Sequence, residues 1–101
     1  MPSAQRGYDA VVVGSGPNGL VAAITLAKAG ASVLLLEASN SPGGGCRSAE
    51  LTMPGYAHDV CSAVFPMAVL SPVFREVGLE QLGVKYVSPD VALAHPLPDG
   101  K

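Results

Sequence analysis

Six residues, Gly14-Ser15-Gly16-Pro17-Asn18-Gly19, constrain this chain more than any other feature. Glycines at this spacing are a weak signal alone, since the chain holds 12 glycines in 101 residues. The surroundings strengthen it. Residues 8–14 end in Val11-Val12-Val13-Gly14, and a short β-branched run stopped by glycine predicts a strand buried on both faces. Residues 17–29 predict a helix. Pro17 suits the first turn, where its missing N–H is not needed. Leu20, Ala23, Ile24 and Ala27 fall at i, i+3, i+4 and i+7 and make one apolar stripe. Lys28 complements the helix dipole and Gly30 stops the helix. Residues 32–37, Ser-Val-Leu-Leu-Leu-Glu, predict a second buried strand. The order is β-α-β, and a crossover of this kind implies parallel strands in an α/β fold.

The second strand ends in an acid, Glu37, 18 positions beyond Gly19. Strand, glycine turn, helix, strand and acid together match the dinucleotide-binding βαβ fingerprint. Each residue then has a physical task. Gly14 permits the tight turn. Gly16 lets a pyrophosphate approach the backbone, and Gly19 lets the helix lie close to the sheet. The first amides of the helix point at the phosphates, and the dipole favours their charge. Glu37 accepts hydrogen bonds from the adenosine ribose, and a carboxylate there disfavours the 2′-phosphate of NADP. A purely structural β-α-β unit is the plain alternative, and the four features together count against it.

The fingerprint alone fits NAD or FAD. The next segment, Pro42-Gly43-Gly44-Gly45-Cys46-Arg47-Ser48, begins five residues after Glu37. A plain NAD dehydrogenase turns into another helix there. A double glycine instead lets backbone amides face a second phosphate, or lets the chain pass close under a flavin. Arg47 either adds positive charge at the pyrophosphate or is a solvated arginine.

With Glu37, Gly43-Gly44 and Ser48, the chain resembles the FAD-dependent amine oxidase and phytoene desaturase superfamily, where the fingerprint is followed by an acid and a GG motif. Pro54-Gly55-Tyr56-Ala57-His58-Asp59 is similar to a further element of that superfamily. Gly43 to Ser48, His58 to Val64 and Leu93 to Leu97 are most similar to its phytoene-dehydrogenase-like oxidoreductases. The resemblance runs from Tyr8 to Gly100. Two positions depart from it: Gly45 stands where many members carry arginine, and Cys61 where many carry glycine.

The resemblance implies a Rossmann-like FAD-binding βαβ unit with an incomplete parallel sheet. Residues 1–65 would be the N-terminal part of the FAD domain and 66–101 the start of a substrate-domain segment. It implies FAD as cofactor, with its ADP half held by Gly14, Ser15, Gly16, Pro17, Asn18, Gly19, Glu37, Ala38, Gly43, Gly44, Arg47 and Ser48. It also implies a flavin-dependent oxidoreductase taking hydride from a C–H bond of an apolar small-molecule substrate. Family members run to several hundred residues, so the chain reads as the N-terminal piece of such an enzyme, poorly stable and inactive alone. Two alternatives stay open. One is a non-catalytic binder on the same fold, as in the Rab GDP-dissociation inhibitors. The other is an NAD-only dehydrogenase.

Composition narrows the rest. With 49% apolar and 14% charged residues, the chain is neither disordered nor collagen-like. Six basic against eight acidic residues give a net charge of −2, which argues against a nucleic-acid partner. No Lys or Arg cluster is present to hold an anionic membrane, so membrane association stays open. No signal peptide or membrane span is evident, so a cytoplasmic location is expected. Cys46 and Cys61 read as half-buried thiols in a reducing compartment. As a redox pair they would have to converge across 15 positions, and a flavin already supplies redox chemistry. No metal-ligand cluster is present. No catalytic residue is assigned. His58 and Asp59 are sequence neighbours that point apart on a strand, Asp59 reads as a binder of turn amides, and His95 reads as structural. Downstream, Ser71 caps a predicted helix over 72–77 with Gly78 as its stop, and Glu80 to Leu82 extend it after a break. Val84–Val87 and Val91–His95 read as short strands, and Pro96 to Lys101 as a turn.

Overall fold

The computed structural model describes residues 7–100. Three valines cannot easily share a helical turn without crowding at χ1, and they extend instead. β1 (Ala10–Val13) pairs in parallel with β2 (Val33–Leu36), Ala10 opposite Val33 and Val13 opposite Leu36. The crossover between them is α1 (Pro17–Lys28), with Gly16 as N-cap and Pro17 at its first position. At its far end Gly30 has φ +92°, and the amides of Ala29, Gly30 and Ala31 close back onto Thr25, Ala27 and Leu26 carbonyls. Lys28 lies in the last turn.

A serine and an acid fasten each end of the strand pair. At the start of β1 the Asp9 carboxylate accepts the Ser32 N–H at 2.8 Å and the Ser32 hydroxyl at 2.7 Å. These bonds, the hydroxyl's foremost, hold the Asp9 carboxyl below its ordinary pKa. The opposite end carries Ser15 and Glu37.

A second, antiparallel pair follows: β3 (Ser48–Glu50) and β4 (Ala57–Asp59), with Ser48 opposite Asp59 and Glu50 opposite Ala57. One turn of 3₁₀ helix, Gly44–Cys46, leads into β3. Two short helices close the ordered elements, α2 (Pro66–Leu70) and α3 (Pro72–Val77). Both open on proline, and Ser71 is at once the C-cap of α2 and the N-cap of α3. α3 lies against α1, where the Lys28 ammonium donates to the Glu76 carbonyl at 3.2 Å.

Several expectations need correcting. β1 is not buried on both faces. Val12 faces α1, but Val11 and Val13 point away from it and are 55% and 81% exposed. The described residues supply a helix to one face of the sheet only, and no apolar side chain among them is fully buried. Ser71 makes no side-chain cap bond, its backbone being shared between two helices. Residues 78–83 are successive turns rather than a helix, closed by Gln81, Leu82 and Gly83 amides on Gly78, Leu79 and Glu80 carbonyls. The strands read at 84–87 and 91–95 do not form. Apolar alternation needs a neighbouring strand to pair with, and the described residues offer none there. Both cysteines are exposed rather than half-buried. The turn near the end is present among the described residues, with Gly100 N–H on the Leu97 carbonyl, and Lys101 lies outside them.

Candidate dinucleotide-binding site

The site is built where β1 hands over to α1. Gly14 N–H donates to the Leu36 carbonyl at 2.7 Å, continuing the ladder one residue beyond β1. The chain then reverses through φ +94° at Gly14, a region that side-chain-bearing residues rarely adopt. Gly19 is required for a different reason. A Cβ there would stand 1.9 Å from the Gly14 carbonyl oxygen, so the first helical turn lies directly on the end of the strand. The first helical rung runs from Leu20 N–H to the Gly16 carbonyl at 2.9 Å. The amides of Asn18 and Gly19 therefore lie ahead of the ladder, at the positive end of the helix dipole.

Glu37 follows directly on β2 and reaches across to this turn. Its Oε2 accepts the Ser15 N–H at 2.7 Å and the Ser15 hydroxyl at 2.6 Å, and its Oε1 accepts the Ser39 N–H at 2.9 Å. Ser15 is 1% exposed, whereas Glu37 is open to solvent. The Ser15 hydroxyl bond and the two backbone bonds bring the Glu37 carboxyl down to about 2. The carboxylate is thus charged at every physiological pH. It has about four acceptor directions, and the chain fills three of them.

The glycine-rich loop folds over the same turn. Gly43 N–H donates to the Ser15 carbonyl at 2.8 Å. Gly44 has φ +55°, and a Cβ on it would come within 2.9 Å of Gly16 Cα. Backbone therefore meets backbone at Gly16 and Gly44, with no side chain between them. A Cβ on Gly16 would touch only Gly44 Cα, at 4.0 Å. Arg47 turns back on this loop, its Nε donating to the Gly44 carbonyl at 2.9 Å. The side chain is therefore bonded to the glycine-rich loop rather than wholly solvated.

Of the remaining sequence candidates, Pro17 is the first residue of α1, and Asn18 is exposed beside it. Ala38 is exposed next to Glu37. Ser48 opens β3 on the far side of Arg47, where its hydroxyl donates to Asp59 at 3.4 Å. Asp59 is thus a strand residue rather than a binder of turn amides. His58 points to the other side of β4, its Nε2 2.8 Å from the Thr52 hydroxyl, so the two form no dyad. Among the described residues no cluster of histidine, cysteine or acid is arranged to hold a metal ion. No helix among them is long and apolar enough to cross a membrane. The structure adds Ser39, whose amide holds the second Glu37 oxygen. A serine two residues past an acid, in a loop, is the one signal that points to it.

A glycine turn, a free helix start and a charged acid across the crevice are the parts that a dinucleotide diphosphate and its ribose require. Comparison with known families agrees, as the NAD(P)-binding Rossmann-like domain matches residues 12–77. The chain belongs to that family. This Rossmann-like domain is 36% identical over 92 residues to a subunit of limonene dehydrogenase from Castellaniella defragrans, covering 91% of this chain and 16% of the relative. It is 36% identical over 99 residues to phytoene desaturase of Neurospora crassa, covering 98% of this chain and 16% of the relative. A probable electron transfer flavoprotein-quinone oxidoreductase of Escherichia coli is 40% identical over 78 residues, 74% of this chain and 17% of the relative. The domain thus spans about one sixth of the length of these relatives. No solved structure matches it.

Proposed function

We propose that this domain holds the ADP half of FAD within a flavin-dependent oxidoreductase acting on an apolar small molecule. The observation that carries the reading is the meeting of three segments at one point. The Gly14–Gly19 turn, the Glu37 carboxylate and the Gly43–Gly44 backbone come together with no side chain intruding between Gly16 and Gly44.

In this reading the Asn18 and Gly19 amides bind the diphosphate, and the helix dipole adds to the attraction. Glu37 orients the adenosine ribose through its open acceptor direction. Ser15 and Ser39 keep the carboxylate charged and aimed. The Gly43–Gly44 segment lies where a flavin dinucleotide, longer than its adenosine half, continues past the turn. Arg47 places its charge against that segment. When bound, FAD supplies hydride acceptance, and the protein's task is to place and exclude.

Support for the flavin comes from this second glycine segment and from the flavoprotein in one relative's name. Support for an apolar substrate comes from limonene and phytoene, both hydrocarbons, in the names of two others. The test is equilibrium dialysis of the polypeptide carrying this domain against FAD and against NAD, followed by flavin absorbance. Retained FAD that Glu37→Ala releases supports the reading. NAD retained in preference to FAD supports an NAD dehydrogenase, and a folded polypeptide that retains neither supports a non-catalytic binder.

A further inference from the structure

Outside the nucleotide site, the most telling juxtaposition is between the two cysteines. The β3–β4 register pairs Ser48 with Asp59, and the hydrogen bonds carry that register past the strand ends. Val60 N–H donates to the Arg47 carbonyl at 2.9 Å, and Ser62 N–H donates to the Gly45 carbonyl at 2.9 Å. The pair between those two rungs is Cys46 and Cys61. In an antiparallel ladder a position flanked by hydrogen-bonded pairs on both sides is a non-hydrogen-bonded pair. In a regular ladder the Cα atoms of such a pair approach to about 4.5 Å, within the span that a disulfide bridges, and here Cys46 closes a 3₁₀ turn at the edge of the ladder. Cys61 packs on the residue preceding Cys46, its Sγ 3.7 Å from where a Cβ on Gly45 would stand. Gly45 is thus the residue that faces Cys61, and its missing side chain leaves the room into which Cys46 turns when a bridge closes. Both thiols are free and exposed.

We propose that Cys46 and Cys61 form a reversible intrachain disulfide that staples the glycine-rich loop to β4. The oxidant is a small-molecule disulfide. A thiolate of the pair attacks one of its sulfurs, forming a mixed disulfide and releasing one small thiol. The second cysteine then attacks its partner's sulfur and releases the other. Two protein thiols and one small disulfide become one protein disulfide and two small thiols, and a reducing dithiol reverses the exchange. The 3₁₀ turn at Gly44–Cys46 is the part that adjusts, because closing the bridge draws Cys46 in toward the ladder. Gly44 lies against Gly16, so the staple fixes the loop from its other side. The disulfide itself stands whether or not the flavin reading does.

The experiment equilibrates the polypeptide carrying this domain with reduced and oxidised glutathione at several ratios, with and without 6 M urea, then traps thiols and weighs the products. The expected native product is a monomer lighter by two hydrogens, whose digest joins the Cys46 peptide to the Cys61 peptide. Its effective thiol concentration should exceed that of the urea-unfolded chain by at least about tenfold. Cys46→Ser and Cys61→Ser should each turn the remaining thiol into a glutathione mixed disulfide. Equal effective concentrations with and without urea would overturn the proposal. So would native chains carrying glutathione on both cysteines without a cross-link. The urea comparison uses the unmodified chain, so it does not depend on either variant folding.

Discussion

The buried hydroxyl of Ser15 donates to Glu37 Oε2 at 2.6 Å, and the Ser15 amide reaches the same oxygen at 2.7 Å. The residue between the first two glycines thereby grips the acid that ends the next strand. The Ser15 hydroxyl proton is committed to Glu37. The arrangement ties the Gly14–Gly19 turn and the Glu37 carboxylate into one unit.

Removing the hydroxyl should be legible in a titration. Glu37 is lowered from an ordinary 4.5 to about 2, with the Ser15 hydroxyl as the largest cause. In Ser15→Ala the carboxyl should titrate higher, while the backbone bonds from Ser15 and Ser39 keep it below its ordinary value. A depressed folded pKa means that any linked stability is present above 4.5 and disappears as pH falls through about 2. Carbon-13 NMR of the Glu37 side chain reads this directly. A wild-type midpoint near 4.5 would show that the three bonds are not formed in solution.

Charge at Glu37 should matter to the nucleotide. A hydrogen bond to a charged group contributes about 1.5–3 kcal/mol, so Glu37→Ala should weaken FAD binding roughly ten- to hundredfold. Calorimetric titration checks it, with 2′-deoxyadenosine-containing FAD as the control. That analogue should lose less affinity in the variant than FAD does. Equal losses for both would place Glu37 away from the ribose hydroxyls.

The β-α-β unit was open to reading because its causes are local: a valine run, proline at a helix start, an apolar stripe and an acid at a strand end. The hairpin of β3 and β4 was not. Ser48-Ala49-Glu50 and Ala57-His58-Asp59 are poor strand formers, and what pairs them is the anchored loop beside them, where Ser62 N–H meets Gly45 and Gly43 N–H meets Ser15. That same long-range pairing brings Cys46 opposite Cys61, a convergence that spacing alone argued against. Pro66 opens α2 as Pro72 opens α3, and the sequence signals predict a helix only at the second. Val84 to Val87 and Val91 to His95 show the opposite error, since their β propensity finds no partner strand among the described residues.

Two glycines of the fingerprint should fail in different ways. A methyl at Gly19 meets the Gly14 carbonyl oxygen at 1.9 Å, and both groups belong to fixed backbone. Gly19→Ala should push α1 off the sheet and cost about 1–3 kcal/mol. Gly16 has φ −68° and room to 4.0 Å, so Gly16→Ala should keep wild-type circular dichroism and lose nucleotide affinity only. Wild-type affinity in Gly16→Ala would mean that the diphosphate does not lie on that glycine.

The sheet face carrying Val11 and Val13 gives the last prediction. These side chains are 55% and 81% exposed, Leu36 on β2 is also exposed, and no apolar side chain among the described residues is fully buried. Stability scales with apolar area removed from water, at roughly 25 cal/mol per Å², and ordering the backbone opposes it at about 1–2 kcal/mol per residue. With one face of the sheet uncovered, the 101-residue chain should keep its secondary structure but lack cooperative packing. It should bind an apolar dye, melt over a broad range and hold FAD weakly. Val11→Thr with Val13→Thr should reduce dye binding with little effect on the melting range, because more than half of each residue is already exposed. A sharp calorimetric transition with stoichiometric bound flavin would contradict the prediction, since it requires that face to be covered in solution.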